Sequence, residues 1–351
     1  MHDNQTLTIQ THVDLAVKHT FALKATAAYY VAVGSELELQ AAIAFAEEQH
    51  LPVCLLGEGS NQLFAETYNG LVINMAIKGI HCLEESNDSV IIRAQAGELW
   101  DGFLQVCMQN QWHGLDNLAI IPGTVGAAPV QNIGAYGQEV SNAIVAVHGV
   151  NLKTKTTESL THAQCQFAYR DSVFKQRLKN QFIITAVDFC FNKQATPLIS
   201  YAPLKQQFNN QSPDFLAVRH AVIRLRQAKL PIPSKLPNAG SFFKNPVVSP
   251  ELSDRLCQKY PAMPSFPQAN GAKLSAGWLI EQAGLKGKQL GPVAVYDKHA
   301  LVLINQGGAT LADVLVLKAL IVDAVHKKFG VTLEQEPLIV DQDNSLQIKA
   351  G

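Results

Sequence analysis

The sequence predicts an α+β protein of two or three domains, and three observations carry that expectation. Its 351 residues exceed what one hydrophobic core usually serves, and 47% of them are apolar, enough for a sizeable interior. Strand and helix signals alternate through the first third, whereas the last third is helical at its edges. Between them, residues 114–137 are rich in Gly, Pro and Ala and almost free of charge. A solvated loop would be more polar, and a buried one must satisfy its backbone groups, which a bound ligand can do.

The elements follow in order. Tyr30 to Val33 reads as a strand, and Ser35 with Glu38 forms a capping box that starts a helix running through Glu48. The strand LPVCLL precedes the loop GEGSN, and LVINMAI and VIIRAQA are further strands. Residues 98–111 have helical apolar spacing, with Leu99, Phe103, Val106 and Cys107 on one face. Strands return at AIVAVHGV and FIITAVDFCF. Ser212-Pro213 and Ser249-Pro250 each pair an N-cap with a proline at the first helical position. A helix from Ser275 to Gln282 stops near Gly284, ALVLIN is a strand, and Thr310 and Asp313 open a long helix that ends at Gly330. VTLEQEPLIV is the expected last strand.

Composition excludes some function classes. A net charge of −1 and a pI near 6.8 leave no electrostatic footprint for nucleic acid or an anionic membrane. The polar start MHDNQTLTIQ lacks a signal-peptide core, and VLVLKALIVDAV is interrupted by Lys318 and Asp323, so no membrane span is expected. Six scattered cysteines without a CxxC pair read as reduced core thiols of a cytoplasmic protein, and no metal cluster is expected.

Five segments could carry chemistry. In GEGSN, paired glycines let backbone N–H groups approach an anion, and Ser60 and Asn61 add donors; a ligand-free tight turn also accounts for it. The dinucleotide fingerprint and the Walker A pattern are absent, so a nucleotide bound here uses another fold. IPGTVGAAPVQNIGAYG holds four glycines and three alanines, small enough for backbone to lie against a flat ring or a pyrophosphate. YRDSVFK sets Arg170 beside Asp171, either a surface ion pair or a fork for a carboxylate. In NAGSFFKNP, strand alternation puts Ser241 and Phe243 on one face, and a serine lacking a paired His and Asp is ordinarily only a hydrogen-bonding residue. LEQEP puts Glu334 and Glu336 on one face of the terminal strand, where simple exposure suffices to explain them.

Taken together, these segments resemble the UDP-N-acetylenolpyruvoylglucosamine reductase (MurB) family. They occur in the family's order, and the resemblance runs from about Thr20 to Val340. SYAPL around Tyr201 resembles the family's long, type I form. The resemblance implies a vanillyl-alcohol-oxidase-like (PCMH-type) FAD-binding fold in two subdomains, residues 1–77 with 331–351 and residues 78–211. A third, α/β substrate domain covers 212–330. It implies NADPH-dependent reduction of the enolpyruvyl group of UDP-N-acetylglucosamine enolpyruvate through FAD, in peptidoglycan precursor synthesis. By resemblance Arg170 and Glu336 polarise the substrate carboxylate and Ser241 donates the proton. Gly57, Glu58, Gly59, Ser60, Asn61, Pro122, Gly123, Gly126, Asn132, Gly134, Gly137 and Tyr169 match positions around the cofactor. Tyr201, Lys229, Asn245, Phe266 and His299 match positions around the substrate. The expected partners are the small-molecule substrate and NADPH, with no nucleic acid and no membrane, and the chain is expected to be a monomer.

The chain departs from the family in three places. The terminal motif is commonly LExEVR, and here Pro337 and Leu338 follow Glu336, so the arginine is missing. Phe266 replaces a common tyrosine, and His299 stands where some members carry glutamine. Two rivals remain at this level: an alcohol or sugar oxidase on the same FAD fold, and a non-catalytic nucleotide-binding protein.

Overall fold

The computed structural model describes residues 7–209, 211–268, 271–341 and 346–347. Residues 1–6 of the polar start, and 342–345 and 348–351 of the expected first domain, lie outside them.

The chain opens with β1 (Gln10–Asp14), β2 (Thr26–Val33), α1 (Glu36–Glu48), β3 (Pro52–Leu56), β4 (Gln62–Phe64) and β5 (Thr67–Met75). They build a sheet ordered β1-β2-β5-β3, in which β2, β5 and β3 run parallel and α1 supplies a crossover. Ser35 caps α1 by accepting from Glu38 N at 3.2 Å. The return bond of the box is displaced by one residue, because the Glu38 carboxylate accepts from Gly34 N at 2.6 Å.

Next come β6 (Ile80–Glu85), β7 (Ser89–Gln95), α2 (Trp100–Gln109), β8 (Gly134–Ala135), β9 (Gln138–Glu139), β10 (Ile144–Asn151), β11 (Thr156–Thr161), α3 (His162–Cys165) and β12 (Phe182–Asn192). Five of these strands form an antiparallel sheet in the order β11-β10-β12-β7-β6. The core face of α2 keeps the expected Phe103 and Cys107 but takes Trp100 and Leu104 in place of Leu99 and Val106. Leu99 is the N-cap and is 51% exposed, while Trp100, Phe103, Leu104 and Cys107 are buried against Phe189 and Phe191. The cause is tertiary: the indole of Trp100 donates to Leu118 O at 2.9 Å, which turns the helix start inward. Of the cysteines, Cys82 is exposed on β6 rather than in the core.

The last section holds α4 (Ala202–Lys205), α5 (Phe215–Lys229), β13 (Asn238–Ser241), β14 (Val247–Val248), α6 (Pro250–Lys259), β15 (Ser265–Gln268), β16 (Gly271–Leu274), α7 (Ala276–Gln282), β17 (Gln289–Leu290), β18 (Val293–Val295), β19 (Val302–Asn305) and α8 (Leu311–Phe329). Two small antiparallel sheets, β13-β19-β18-β17 and β14-β16-β15, pack with α6, α7 and α8 around one core that also takes in Phe21, Leu23 and Leu63. The chain then returns: β20 (Leu338–Val340) runs parallel to β4, and β21 (Leu346–Gln347) pairs with β3.

Three expectations fail here. α5 is capped by Asp214, which accepts from Ala217 N at 2.7 Å, and not by Ser212. VTLEQEPLIV is a strand only at Leu338–Val340. Upstream it makes a single bridge, Gln335 to Phe243, and Pro337 has no N–H to extend a ladder. Alternation also breaks after β13, because Gly240 at φ +69 accompanies a register shift and both Phe242 and Phe243 turn inward, each 1% exposed. No described helix is long and apolar enough to cross a membrane.

Candidate active site

A cavity of about 780 Å³ opens where the three sections meet. One wall is the loop between β3 and β4. A Cβ on Gly57 would lie 2.6 Å from Thr124 Oγ1, and Gly59 has φ +64 with no room beside His19, so both positions require glycine. Glu58 Oε2 accepts from Gly123 N at 2.5 Å, and Ser60 Oγ donates to Pro122 O at 3.0 Å. These bonds tie the loop to the second wall, Ile121 to Gly134. There Gly126 packs so closely on Ala96 that a Cβ would approach Ala96 Cβ to 2.5 Å. Asn61 Nδ2 donates to Gln131 Oε1 at 2.9 Å.

The third wall carries the reactive side chains. Ser241, half-buried at the end of β13, lines the cavity with Gly240 and Lys244. Lys244 N donates to Glu334 O, and Glu336 N donates to Phe242 O, so NAGSFFKNP and LEQEP are laced together. This turns Glu336 inward while the Glu334 side chain stays 76% exposed. Arg170 enters from the second section at φ +55, with Lys175 Nζ donating to its carbonyl at 3.0 Å. Its Nη2 donates to Gly134 O at 2.7 Å. Its Nε lies 3.3 Å from Glu336 Oε1 but out of line for a hydrogen bond, so that proton meets no acceptor. Arg170 therefore pairs with Glu336 and not with Asp171, which overturns the surface ion pair.

Electrostatics at this corner are unusual. Burial pushes the Glu336 carboxyl above the usual range, against the pull of Arg170, Lys175 and Lys244. Burial and the neighbouring Lys244 hold the Lys175 amine below its ordinary value. Lys175 was not singled out from sequence, although it closes the same YRDSVFK motif as Arg170. Arg226 of α5 was also missed; it reaches the cavity wall three residues before Lys229, with an Nε that meets no acceptor.

Gly57, Glu58, Gly59, Ser60, Asn61, Pro122, Gly123, Gly126, Gly134, Arg170, Ser241 and Glu336 all meet at this cavity. The other expected site residues stand back from it. Asn132 is 1% exposed and spends its amide on Glu139, Ala168 O and Ser141 N, so it braces the second wall. Tyr169 contacts Asn245, with the ammonium of Lys273 4.5 Å over its ring. Asn245 Oδ1 accepts from Ala276 N at 3.0 Å. Gly137 lies against Tyr201, which meets Tyr136 edge-on at 5.5 Å and is 42% exposed. Phe266 is 51% exposed on β15. Burial, then the charges of Lys229 and Lys286, hold the His299 imidazole below its ordinary value.

Comparison with known proteins matches two family models: an FAD binding domain over residues 27–160, and the C-terminal domain of UDP-N-acetylenolpyruvoylglucosamine reductase over residues 232–340. A reductase of that name from Chromobacterium violaceum is 44% identical over 340 residues, covering 95% of this chain and 100% of the relative. One from Bdellovibrio bacteriovorus is 43% identical over 332 residues, covering 94% and 99%. Among solved structures, the Thermus caldophilus enzyme of the same name superposes with a TM-score of 0.67 at 24% identity, covering 95% of this chain and 99% of that one. This last likeness speaks to fold alone.

Proposed function

Since this chain belongs to the UDP-N-acetylenolpyruvoylglucosamine reductase family, we propose that Arg170, Glu336 and Ser241 are the residues that act on the enolpyruvyl group. The protein is an FAD-dependent reductase of peptidoglycan precursor synthesis that draws on NADPH, and membership sets aside the oxidase and non-catalytic readings. The cavity fits the cofactor. Where Gly57, Gly59 and Gly126 stand, a side chain would collide with neighbouring groups, so bare backbone forms the wall, and Arg226 adds an unmatched cationic donor. Gly57–Asn61 and Pro122–Gly134 would hold the flavin nucleotide. FAD held there would supply hydride-transfer chemistry between NADPH and the terminal enolpyruvyl carbon.

The remaining work falls to side chains. Arg170 offers a planar fork to the substrate carboxylate. Glu336, its carboxyl pushed up by burial, can carry a proton and hydrogen-bond to that carboxylate without repelling it. Ser241 holds the proton needed at the carbon beside the carboxylate. The carrying observation is the single wall that Ser241 shares with the incompletely satisfied Arg170–Glu336 pair. By the family resemblance, Tyr201, Lys229, Asn245, Phe266 and His299, which stand back from the cavity wall, would meet the nucleotide-sugar end. We assign residues 1–77 with 331–351, 78–211 and 212–330 to three domains, supported by the return of β20 to β4 and β21 to β3. We read the chain as a cytoplasmic monomer without nucleic-acid or membrane partners; light scattering at a mass well above 38.2 kDa would contradict the monomer.

Splitting the reaction tests the assignment. A positioned general acid contributes roughly 100- to 10,000-fold. Ser241→Ala should leave anaerobic bleaching of the flavin by NADPH nearly intact and slow its reoxidation by the enolpyruvyl substrate by that order. Equal slowing of both halves would make Ser241 a structural residue instead.

A further inference from the structure

Ile120 immediately precedes the cavity wall formed by Ile121 to Thr124, and it sits at φ +51. A β-branched residue in that region is a genuine outlier, so the surroundings must hold it there. The holding contact is one carboxylate oxygen: Ile120 N donates to Asp101 Oδ1 at 2.8 Å. The same oxygen accepts from Arg219 Nη2 at 2.8 Å, and Gln105 Nε2 donates to Oδ2 at 3.0 Å. Arg219 comes from α5 and is only 5% exposed. Around this point the wall is gripped twice more, by Trp100 at the start of α2, whose N donates to Gly123 O, and by Glu98 just before the helix, whose carbonyl accepts from Val125 N, each at 2.9 Å.

We propose that Asp101, itself fixed by Arg219, is a positioning residue that holds Ile120 in its left-handed conformation and so sets the Ile121–Thr124 wall for the flavin nucleotide. Arg219 and Arg226 lie seven residues apart, two turns of α5, and so share a helix face. Arg226 reaches the cavity while Arg219 braces the back of its wall. The helix that bears Lys229, one of the residues proposed to meet the nucleotide-sugar end, is thereby joined to the wall that lines the cavity. The inference rests on FAD occupying this cavity. Failure of the wild-type apoprotein to bind FAD would count against that occupancy and not against Asp101.

The test titrates deflavinated protein with FAD and follows flavin fluorescence, with thermal stability recorded in parallel. Strain of this kind corresponds to on the order of 10-fold in affinity. Asp101→Ala should weaken FAD binding by about that factor. Ile120→Gly, which needs no restraint at positive φ, should bind FAD about as the wild type does. The double variant Asp101→Ala/Ile120→Gly should return to within about 3-fold of Ile120→Gly. A carboxylate that merely staples α2 to α5 predicts otherwise: the melting temperature falls in both Asp101 variants and glycine at 120 restores no affinity. That result overturns the proposal, as does unaltered FAD binding in Asp101→Ala. Should Asp101→Ala not fold, the double variant decides alone: folded and binding FAD supports the role, unfolded overturns it.

Discussion

Two arginine–carboxylate pairs in this molecule have opposite characters. Arg93 and Asp188 face each other in register on β7 and β12, with Nε to Oδ1 at 2.7 Å and Nη2 to Oδ2 at 2.8 Å. His148 of β10 adds a contact to Oδ2 at 2.8 Å. Burial alone would raise the Asp188 carboxyl, but the hydrogen bonds from Arg93 and His148 outweigh it and bring it down to about 2. Arg170 and Glu336 come from segments far apart in sequence, touch at one point at 3.3 Å, and leave Nε unmatched while burial pushes the carboxyl up. The first pair is saturated and braces a sheet. The second keeps unused donor capacity beside a cavity, at the expense of stability, as a site awaiting an anionic ligand would.

The sharpest way to break the comparison is to replace each arginine by lysine, which keeps charge and loses the fork. Arg170→Lys should lower turnover by about 100-fold or more, with flavin content and melting temperature near wild type. Arg93→Lys should leave turnover unchanged. Steady-state assays reversing that order would erase the distinction.

A smaller effect concerns Asp188. Its folded pKa lies below the unfolded value near 3.8, so it contributes stability above that pH and loses it as pH falls toward about 2. Asp188→Asn should cost about 2 kcal/mol in denaturant unfolding at pH 7, a gap that narrows on acidification. A constant gap from pH 7 to pH 3 would show that charge is not the cause.

The smallest effect has the opposite sign. The folded pKa of Glu336 lies above its ordinary value of 4.5, so its favourable neutral form is fully present below that pH and is lost as pH rises through the shifted value. Glu336→Gln should melt slightly higher than wild type at pH 8, with the difference vanishing near pH 4, while turnover drops. A variant that melts lower at pH 8 would mean that the pair with Arg170 outweighs burial.

Local chemistry was legible in the chain. Thr310 and Asp313 cap α8 reciprocally and Gly330 ends it at φ +69, because caps and left-handed stops depend on residues only a few positions apart. Ser249, Ser275 and the glycines of GEGSN were readable for the same reason. The site's membership owed more to the order of whole motifs, which the family resemblance supplied, than to any spacing within them. Where two local signals competed, tertiary contacts chose: Asp214 caps α5 in place of Ser212, and Trp100 takes the buried position that spacing gave to Leu99. The partner of Arg170 was beyond local reading. Asp171 is its neighbour in sequence, but it bonds instead to Ser172 N and Gln176. Glu336 is brought to Arg170 only when the returning C-terminal segment pairs with residues 242–244, just after β13, and burial there, a property of the folded chain alone, is what shifts its carboxyl.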